Sequence, residues 1–192
     1  MKRCFIYLCI LTFVLTSFGF STEDLNYKLG AKVTNLSLKD LNGKEFDLEE
    51  ILSRDDVKGL VLVFISVKCP ASAFNDSRYI QHASKFKEDG ILFAGISSNY
   101  DDSIEDLKEH AEQNKYNFPV LKDFNNVAAD RFSAKSTPTA YLIDKKGLLR
   151  YKGRIDDSLK DPKKITETTL LNVVEEFLAG KELSVIQTRS GG

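Results

Sequence analysis

Cysteine and histidine are scarce in this 192-residue chain, three of the first and two of the second, and the scarcity narrows the chemistry at once. His82 and His110 stand far apart with no cysteine pair beside either, so no metal-ligand spacing exists; both are expected to be surface or packing residues, and no metal or other cofactor is implied. Neither sign of charge prevails. With 27 Lys+Arg against 28 Asp+Glu and a formal net charge of -1, the chain has no overall field to gather nucleic acid or an anionic membrane. A Gly-rich phosphate loop and an esterase-type serine motif are missing, as are internal repeats and low-complexity tracts. Asn42-Gly43 reads as a turn, and the acidic pairs Asp101-Asp102 and Asp156-Asp157 read as solvated or capping residues of loops.

Long uncharged runs are equally rare, and the one that stands out is at the start. Met1-Lys2-Arg3 is positive, and Cys4 to Phe20 carries no charge, the pattern of an export signal. Residues 1–21 are assigned to it; a cut after Gly19 or after Ser21 meets the small-residue requirement. The run is shorter than the roughly 20 apolar residues that cross a bilayer, so removal is favoured, and a membrane partner is expected only if the segment is retained as an anchor. The expected location is exported, periplasmic or extracellular. Removal takes Cys4 and Cys9 with it and leaves Cys69 as the single thiol. One thiol cannot build an internal disulfide framework, so stability must rest on the core. Such a thiol is either buried and inert or reactive with something outside the chain.

What is present fits one domain, residues 22–183, followed by a loose tail, 184–192. Alternating residues on either side of Asn42-Gly43 predict a hairpin from Asn35 to Leu48. The continuous apolar run Leu60 to Ile65 predicts a central strand covered on both faces. A helix is predicted from Ala71 to Glu88, a second buried strand from Ile91 to Ile96, a surface helix from Ser103 to Asn114 and a short helix from Asn125 to Phe132. Thr139 to Ile143 and Leu148 to Lys152 form a second hairpin, and a helix from Ile165 to Leu178 closes the domain, ended by Gly180. Parallel strands with helical crossovers followed by an antiparallel pair give a mixed sheet with helices on both faces.

Cys69 falls where the central strand gives way to a helix, and Pro70 occupies the first helical position, where a missing amide hydrogen costs nothing. Unpaired backbone donors and the positive end of the helix favour an anion there by about 1 to 2 kcal/mol. Lys68 adds a neighbouring cation, and the hydroxyls of Ser66 and Ser72 are close enough along the chain to donate to the sulfur. A second element is Ser136-Thr137-Pro138-Thr139, directly before a strand. Proline cannot donate to a ladder, so Pro138 predicts a tight turn, cis or trans.

Read together, Leu60 to Pro70 and Ser136 to Gly147 resemble the thioredoxin superfamily, and more closely its redoxin family (alkyl hydroperoxide reductase/thiol-specific antioxidant) with the peroxiredoxin-like subgroup. Gly95-Ile96-Ser97-Ser98-Asn99, Phe118-Pro119-Val120-Leu121-Lys122-Asp123 and Leu149 to Asp157 resemble the same subgroup, and the similarity covers about residues 30 to 185. The resemblance implies an α/β thioredoxin fold, a mixed central sheet flanked by helices with an N-terminal β-hairpin extension. It implies thiol redox chemistry with Cys69 as the catalytic residue and Thr137-Pro138 as a substrate-positioning cis-proline loop.

Two departures from the family pattern matter. Reductants of the superfamily carry a second cysteine two residues away, whereas the corresponding positions here are Ser72 and Ser66, so a self-contained dithiol cycle is excluded. The peroxiredoxin pattern has a proline seven residues before the cysteine, where this chain has Leu62, and an arginine near the position of Pro138; Arg78, Arg131 and Arg154 are the candidates to replace that arginine in space.

The resulting expectation is a one-cysteine oxidoreductase serving antioxidant defence and cell redox homeostasis. It would act on peroxide or protein disulfides, with an external thiol reductant as resolver and Ser66, Lys68, Pro70 and Ser72 supporting Cys69. The alternative is a non-catalytic thioredoxin-fold binding module that has lost its second redox cysteine.

Overall fold

The computed structural model describes residues 26–189; the expected export signal, with Cys4 and Cys9, lies outside the described residues. Strands β1 (Ser37–Asp40) and β2 (Glu45–Asp47) form the N-terminal hairpin, with Leu38 opposite Phe46. Asp40 shapes its turn: one carboxylate oxygen accepts the amides of Asn42 at 2.8 Å and Lys44 at 2.9 Å, while Gly43 supplies the left-handed φ of 82° that the turn requires. Asp47 then caps α1 (Leu48–Ser53) by accepting the Glu50 amide at 2.9 Å.

Strand β3 (Gly59–Phe64) is buried along its whole length. It pairs in parallel with β4 (Ile91–Ser97) and antiparallel with β6 (Thr139–Asp144). Leu60, Leu62 and Phe64 pack on one face with Ile96, Phe132 and Tyr141, whereas Val61, Val63 and Ile65 pack on the other with Tyr79, Phe86 and Val174. Each face needs its own apolar set, which is why the segment is apolar without alternation.

With β5 (Val120–Lys122) and β7 (Leu149–Gly153) the seven strands run in the order β2-β1-β5-β4-β3-β6-β7. Helices α3 (Asp76–Phe86), α4 (Ile104–Gln113) and α6 (Thr169–Leu178) contribute buried residues to one core, and α1 and α5 (Val127–Phe132) to the other. This is the mixed α/β sheet with an N-terminal hairpin that the pattern predicts, a thioredoxin fold.

Three helices differ in extent from their sequence signals. The stretch predicted as one helix from Ala71 is broken into α2 (Pro70–Ala73) and α3. Asn75 causes the break: its side-chain amide donates to the Ala71 carbonyl at 2.7 Å, and its backbone amide turns instead to Ser72 at 2.8 Å. Helix α5 begins at Val127 because Asn125 and Asn126 both take left-handed conformations, with φ of 62° and 59°. The Asp123 carboxylate accepts the amides of Ala128 and Ala129, each at 3.0 Å, which fixes the start. Helix α6 begins at Thr169, four residues later than expected, because Pro162–Lys164 forms a separate 3-10 turn and Ile165 is extended.

The segment expected to be a loose tail is held in place as far as Thr188. Lys152 donates its amide to the Ile186 carbonyl at 3.1 Å, and Thr188 donates its own back to Lys152 at 3.1 Å, so residues 186–188 run along the outer edge of β7. The Thr188 hydroxyl accepts the Arg154 amide at 2.9 Å and lies 3.0 Å from the Tyr151 hydroxyl.

On α3, Arg78 forms a buried ion pair with Asp156 and donates to the carbonyls of Ser158 at 2.7 Å and Leu159 at 3.2 Å. The loop after β7 is thereby fastened to the helix. One turn further on, His82 is 8% exposed and its Nδ1 has no hydrogen-bond partner. Burial pushes its pKa down from 6.5 to about 4, Asp156 opposing and Arg78 and Lys85 reinforcing. Below pH 6.5 the unfolded chain takes up a proton that folded His82 refuses until about pH 4, so this residue makes stability rise with pH across that window. We expect urea titrations to show up to about 3 kcal/mol lost through this group as pH falls through the window. His82→Gln is expected to remove that share of the slope, visible as the difference between the two proteins' stability curves.

Candidate active site

Beyond Phe64 the chain stays in register for one more residue, Ile65 donating its amide to the Ile96 carbonyl at 2.9 Å, and then turns. Cys69 closes the turn by donating its amide to the Ser66 carbonyl at 3.2 Å. It is the N-cap residue of α2, extended at φ -96° and ψ 112°, with Pro70 in the first turn.

The side chain is half-buried, and its Sγ donates to the Thr137 carbonyl oxygen at 3.6 Å. The Thr137-Pro138 peptide bond is cis, and Thr139 secures that loop by donating its hydroxyl to the Ser136 carbonyl at 2.6 Å. Cys69, Pro70, Thr137 and Pro138 therefore meet in one place. The sulfur can donate to Thr137 only while it carries its proton, since a carbonyl oxygen has none to give. This contact belongs to the thiol form.

Ser66, Lys68 and Ser72 share the turn with Cys69, but their polar ends are directed elsewhere than the sequence suggests. The Ser66 hydroxyl donates to Asp102 at 3.2 Å, and the Ser72 hydroxyl oxygen accepts the Ser66 amide at 3.1 Å. Both hydroxyls serve the turn, because its backbone has left the sheet and its donors need new acceptors. The Lys68 ammonium lies 2.9 Å from the Asp106 carboxylate. That hydrogen bond raises the Lys68 pKa, with Asp102 and Asp101 adding to the effect, so neighbouring carboxylates largely offset its charge.

Asp102, read from sequence as a loop acid, is the residue that reasoning missed. It has 0% exposure. Its Oδ1 accepts from the Ser66 hydroxyl, the Lys68 amide and the Asn99 side-chain amide, each at 3.2 Å, and its Oδ2 accepts from the Ser97 hydroxyl at 2.8 Å. The available clue was the cluster of small donors, Ser66 after β3 and Ser97-Ser98-Asn99 after β4, which brings hydroxyls and amides together where two parallel strands end and so calls for a common acceptor.

Arg78, Arg131 and Arg154 are all engaged away from the thiol. Arg78 is held by Asp156, Arg131 donates to the carbonyls of Thr34 and Asn35 at 2.8 Å each, and Arg154 pairs with Glu167 at 2.6 Å. A cleft of about 360 Å³ opens at Cys69 between Ser98, Asn99, Asn126 and Thr137; among the described residues the charged side chains on it are Asp130 and Lys135, with no arginine. A cavity of about 340 Å³ between the β1-β2 hairpin, Phe93 and Phe118 shares no lining residue with this cleft.

A thioredoxin-type sheet with a cysteine at a helix start facing a cis-proline defines a thioredoxin-fold protein of the thiol-dependent class. The chain belongs to the AhpC/TSA family, whose model matches residues 29–152, more than half of its length. It is similar to the thiol-disulfide oxidoreductase ResA of Bacillus cereus, with 26% identity over 129 residues covering 67% of this chain and 71% of the relative. Among solved structures, the hypothetical protein SMc02350 from Sinorhizobium meliloti 1021 superposes with a TM-score of 0.77 at 28% identity, covering 87% of this chain and 93% of that one. A thiol:disulfide interchange protein from Bacteroides sp. shares the fold, with a TM-score of 0.61 at 19% identity over 80% of this chain and 92% of that one.

Replacing Ser72 with Ala leaves the buried Ser66 amide without its acceptor. We expect a loss of about 1 to 3 kcal/mol in stability, measured by urea denaturation.

Proposed function

We propose that this protein is a thiol-based oxidoreductase of the redoxin type that exchanges disulfides with protein partners through Cys69 and depends on an external thiol to complete each cycle. The observation that carries this reading is the Cys69 Sγ lying 3.6 Å from the Thr137 carbonyl, beside the cis-proline and at the mouth of an open cleft. Membership of the AhpC/TSA family and similarity to a thiol-disulfide oxidoreductase support the same chemistry.

In the proposed cycle Cys69 gives up its proton, leaves Thr137 and attacks one sulfur of a partner disulfide. A bond forms between Cys69 and that sulfur as the partner's own S–S bond breaks, and the second partner sulfur departs as a thiolate. An external thiolate then attacks the Cys69 sulfur of the mixed disulfide and releases the remaining partner sulfur as a thiolate, and a second external thiolate attacks the first external sulfur, forming the external disulfide and freeing the Cys69 thiolate. The external thiol is oxidised and the original disulfide reduced. Pro70 starts the helix behind the thiol, and Thr137 and Pro138 shape the face that receives the partner.

A protein partner is favoured over a small peroxide by two features. Phe74, Tyr100, Phe124 and Val127 are large apolar side chains that are 52%, 96%, 60% and 55% exposed. Tyr100 follows Asn99, and Phe124 and Val127 flank Asn126, two residues of the cleft wall, so they suit contact with another polypeptide. In addition, each of the three candidate arginines already has other partners, which leaves none of them free to polarise a peroxide. Lys2-Arg3 and the uncharged run that follows support export, which would place the reaction outside the cytoplasm.

The reduced protein, mixed with an excess of a small aryl disulfide, is expected to gain one adduct that peptide mass mapping places on Cys69 and that an added thiol removes. Cys69→Ser should fold normally and reduce turnover to background. An unmodified Cys69 in the folded protein would support the binding module instead. A sulfenic-acid label on Cys69 at dilute peroxide, without adduct formation from the disulfide, would move the assignment to peroxide reduction.

A further inference from the structure

The Asp102 carboxylate joins the two strand ends that frame the thiol. Through Ser66 and the Lys68 amide it grips the turn that carries Cys69, and through Ser97 and Asn99 it grips the end of β4. Asn99 also donates to the Ser66 hydroxyl oxygen at 3.0 Å, so the hydrogen of that hydroxyl is directed to Asp102 while its oxygen is already engaged. Lys122, on β5 and 8% exposed, braces the assembly from behind, donating to the carbonyls of Asn99 at 2.7 Å and Asp102 at 2.8 Å.

The other charges nearby are accounted for. Lys68 on the turn is engaged by Asp106 of α4. Asp123, after β5, accepts the Ser98 hydroxyl at 2.6 Å and the first amides of α5. Asp101 is exposed.

We propose that Asp102 is a positioning residue for the chemistry of Cys69: its buried carboxylate holds the 66–69 turn in place for in-line attack and keeps the Ser66 hydroxyl from turning to the sulfur. The idea rests on the reading of Cys69 as the working thiol. Two consequences follow from elementary electrostatics. Neutralising Asp102 removes a negative charge next to the turn and weakens the hold on the Ser66 hydroxyl, and both changes favour an anionic sulfur. The same change loosens the turn, so a reaction that needs a fixed direction of attack suffers more than one that does not.

The test uses Asp102→Asn, which keeps the side chain's shape, and Ser66→Ala, which removes the hydroxyl's links to Asp102 and Asn99 and leaves the Lys68 amide on Asp102. Two rates are measured for Cys69: alkylation by iodoacetamide across pH, and mixed-disulfide formation with a peptide disulfide. For Asp102→Asn, the pH of half-maximal alkylation is expected to fall by about half a unit or more, while disulfide exchange, compared at equal alkylation rate, slows at least about tenfold. Ser66→Ala should slow exchange without that fall in pH. A merely structural role would lower both rates together and leave the pH of half-reaction unchanged, and that result would overturn the proposal. Should Asp102→Asn not fold, Ser66→Ala decides by itself: an exchange rate equal to that of the unmodified protein rejects the idea. If the unmodified protein forms no mixed disulfide at all, the function proposed above is wrong, and the alkylation profile of Asp102→Asn still decides whether Asp102 acts on the thiol.

Discussion

A carboxylate cut off from water must find a donor for each of its oxygens, and meeting that demand organises the end of the sheet that carries Cys69. Asp102 draws hydroxyls and amides from the ends of two parallel strands toward one point, and the turn bearing Cys69 has little freedom once they are in place. The sheet beneath supplies the rigidity. Strand β3 is buried on both faces and hydrogen-bonded on both edges, so the turn is built on the stiffest part of the fold. The thiol stands at the junction between a rigid strand and a one-turn helix that Asn75 separates from α3.

The contact between Cys69 and Thr137 gives the resting site a definite character. A sulfur can donate to a carbonyl only with its proton in place. Reaction calls for that hydrogen bond to break, and a polypeptide lying along the 136–138 loop would bring backbone amides of its own close to the sulfur. If Cys69 works as proposed, such an arrangement couples activation of the thiol to arrival of its partner. Among the described residues Cys69 has no second cysteine beside it to form a disulfide.

Much of this architecture was legible in the residues. The run Leu60 to Ile65 reads as a doubly covered strand because both faces demand apolar side chains, and Asn42-Gly43 reads as a hairpin because the turn needs a left-handed glycine. Cys69 and Pro138 stand out because a cysteine-proline helix start and a proline before a strand each constrain the backbone locally. What escaped the sequence was long-range. Asp102 looks like any loop acid until Ser66, 36 positions earlier, is seen to donate to it. The break at Asn75 depends on a side chain that takes the place of a backbone donor, which periodicity does not register. The sulfur-facing roles read for Ser66, Ser72 and Lys68 rested on closeness along the chain, whereas Asp102 and Asp106, distant in sequence, direct Ser66 and Lys68, and the Ser66 amide takes up the Ser72 hydroxyl. The docked tail escaped for the same reason, its few apolar residues giving no hint that its backbone would be taken up by β7.

That tail has a consequence for how the molecule behaves among its own kind. The outer side of β7 is met at Leu149 by Gly30 and Ala31, and without the tail the Lys152 amide and carbonyl would stand unpaired further along that edge, a foothold for a strand from another chain. Pairing with residues 186–188 occupies that foothold from within the molecule. At the opposite margin the sheet ends in β2, three residues long and bearing Glu45 and Asp47, too short and too charged to recruit a neighbour. Unwanted strand addition is thus discouraged at both margins, while the cleft around the sulfur stays open to visitors.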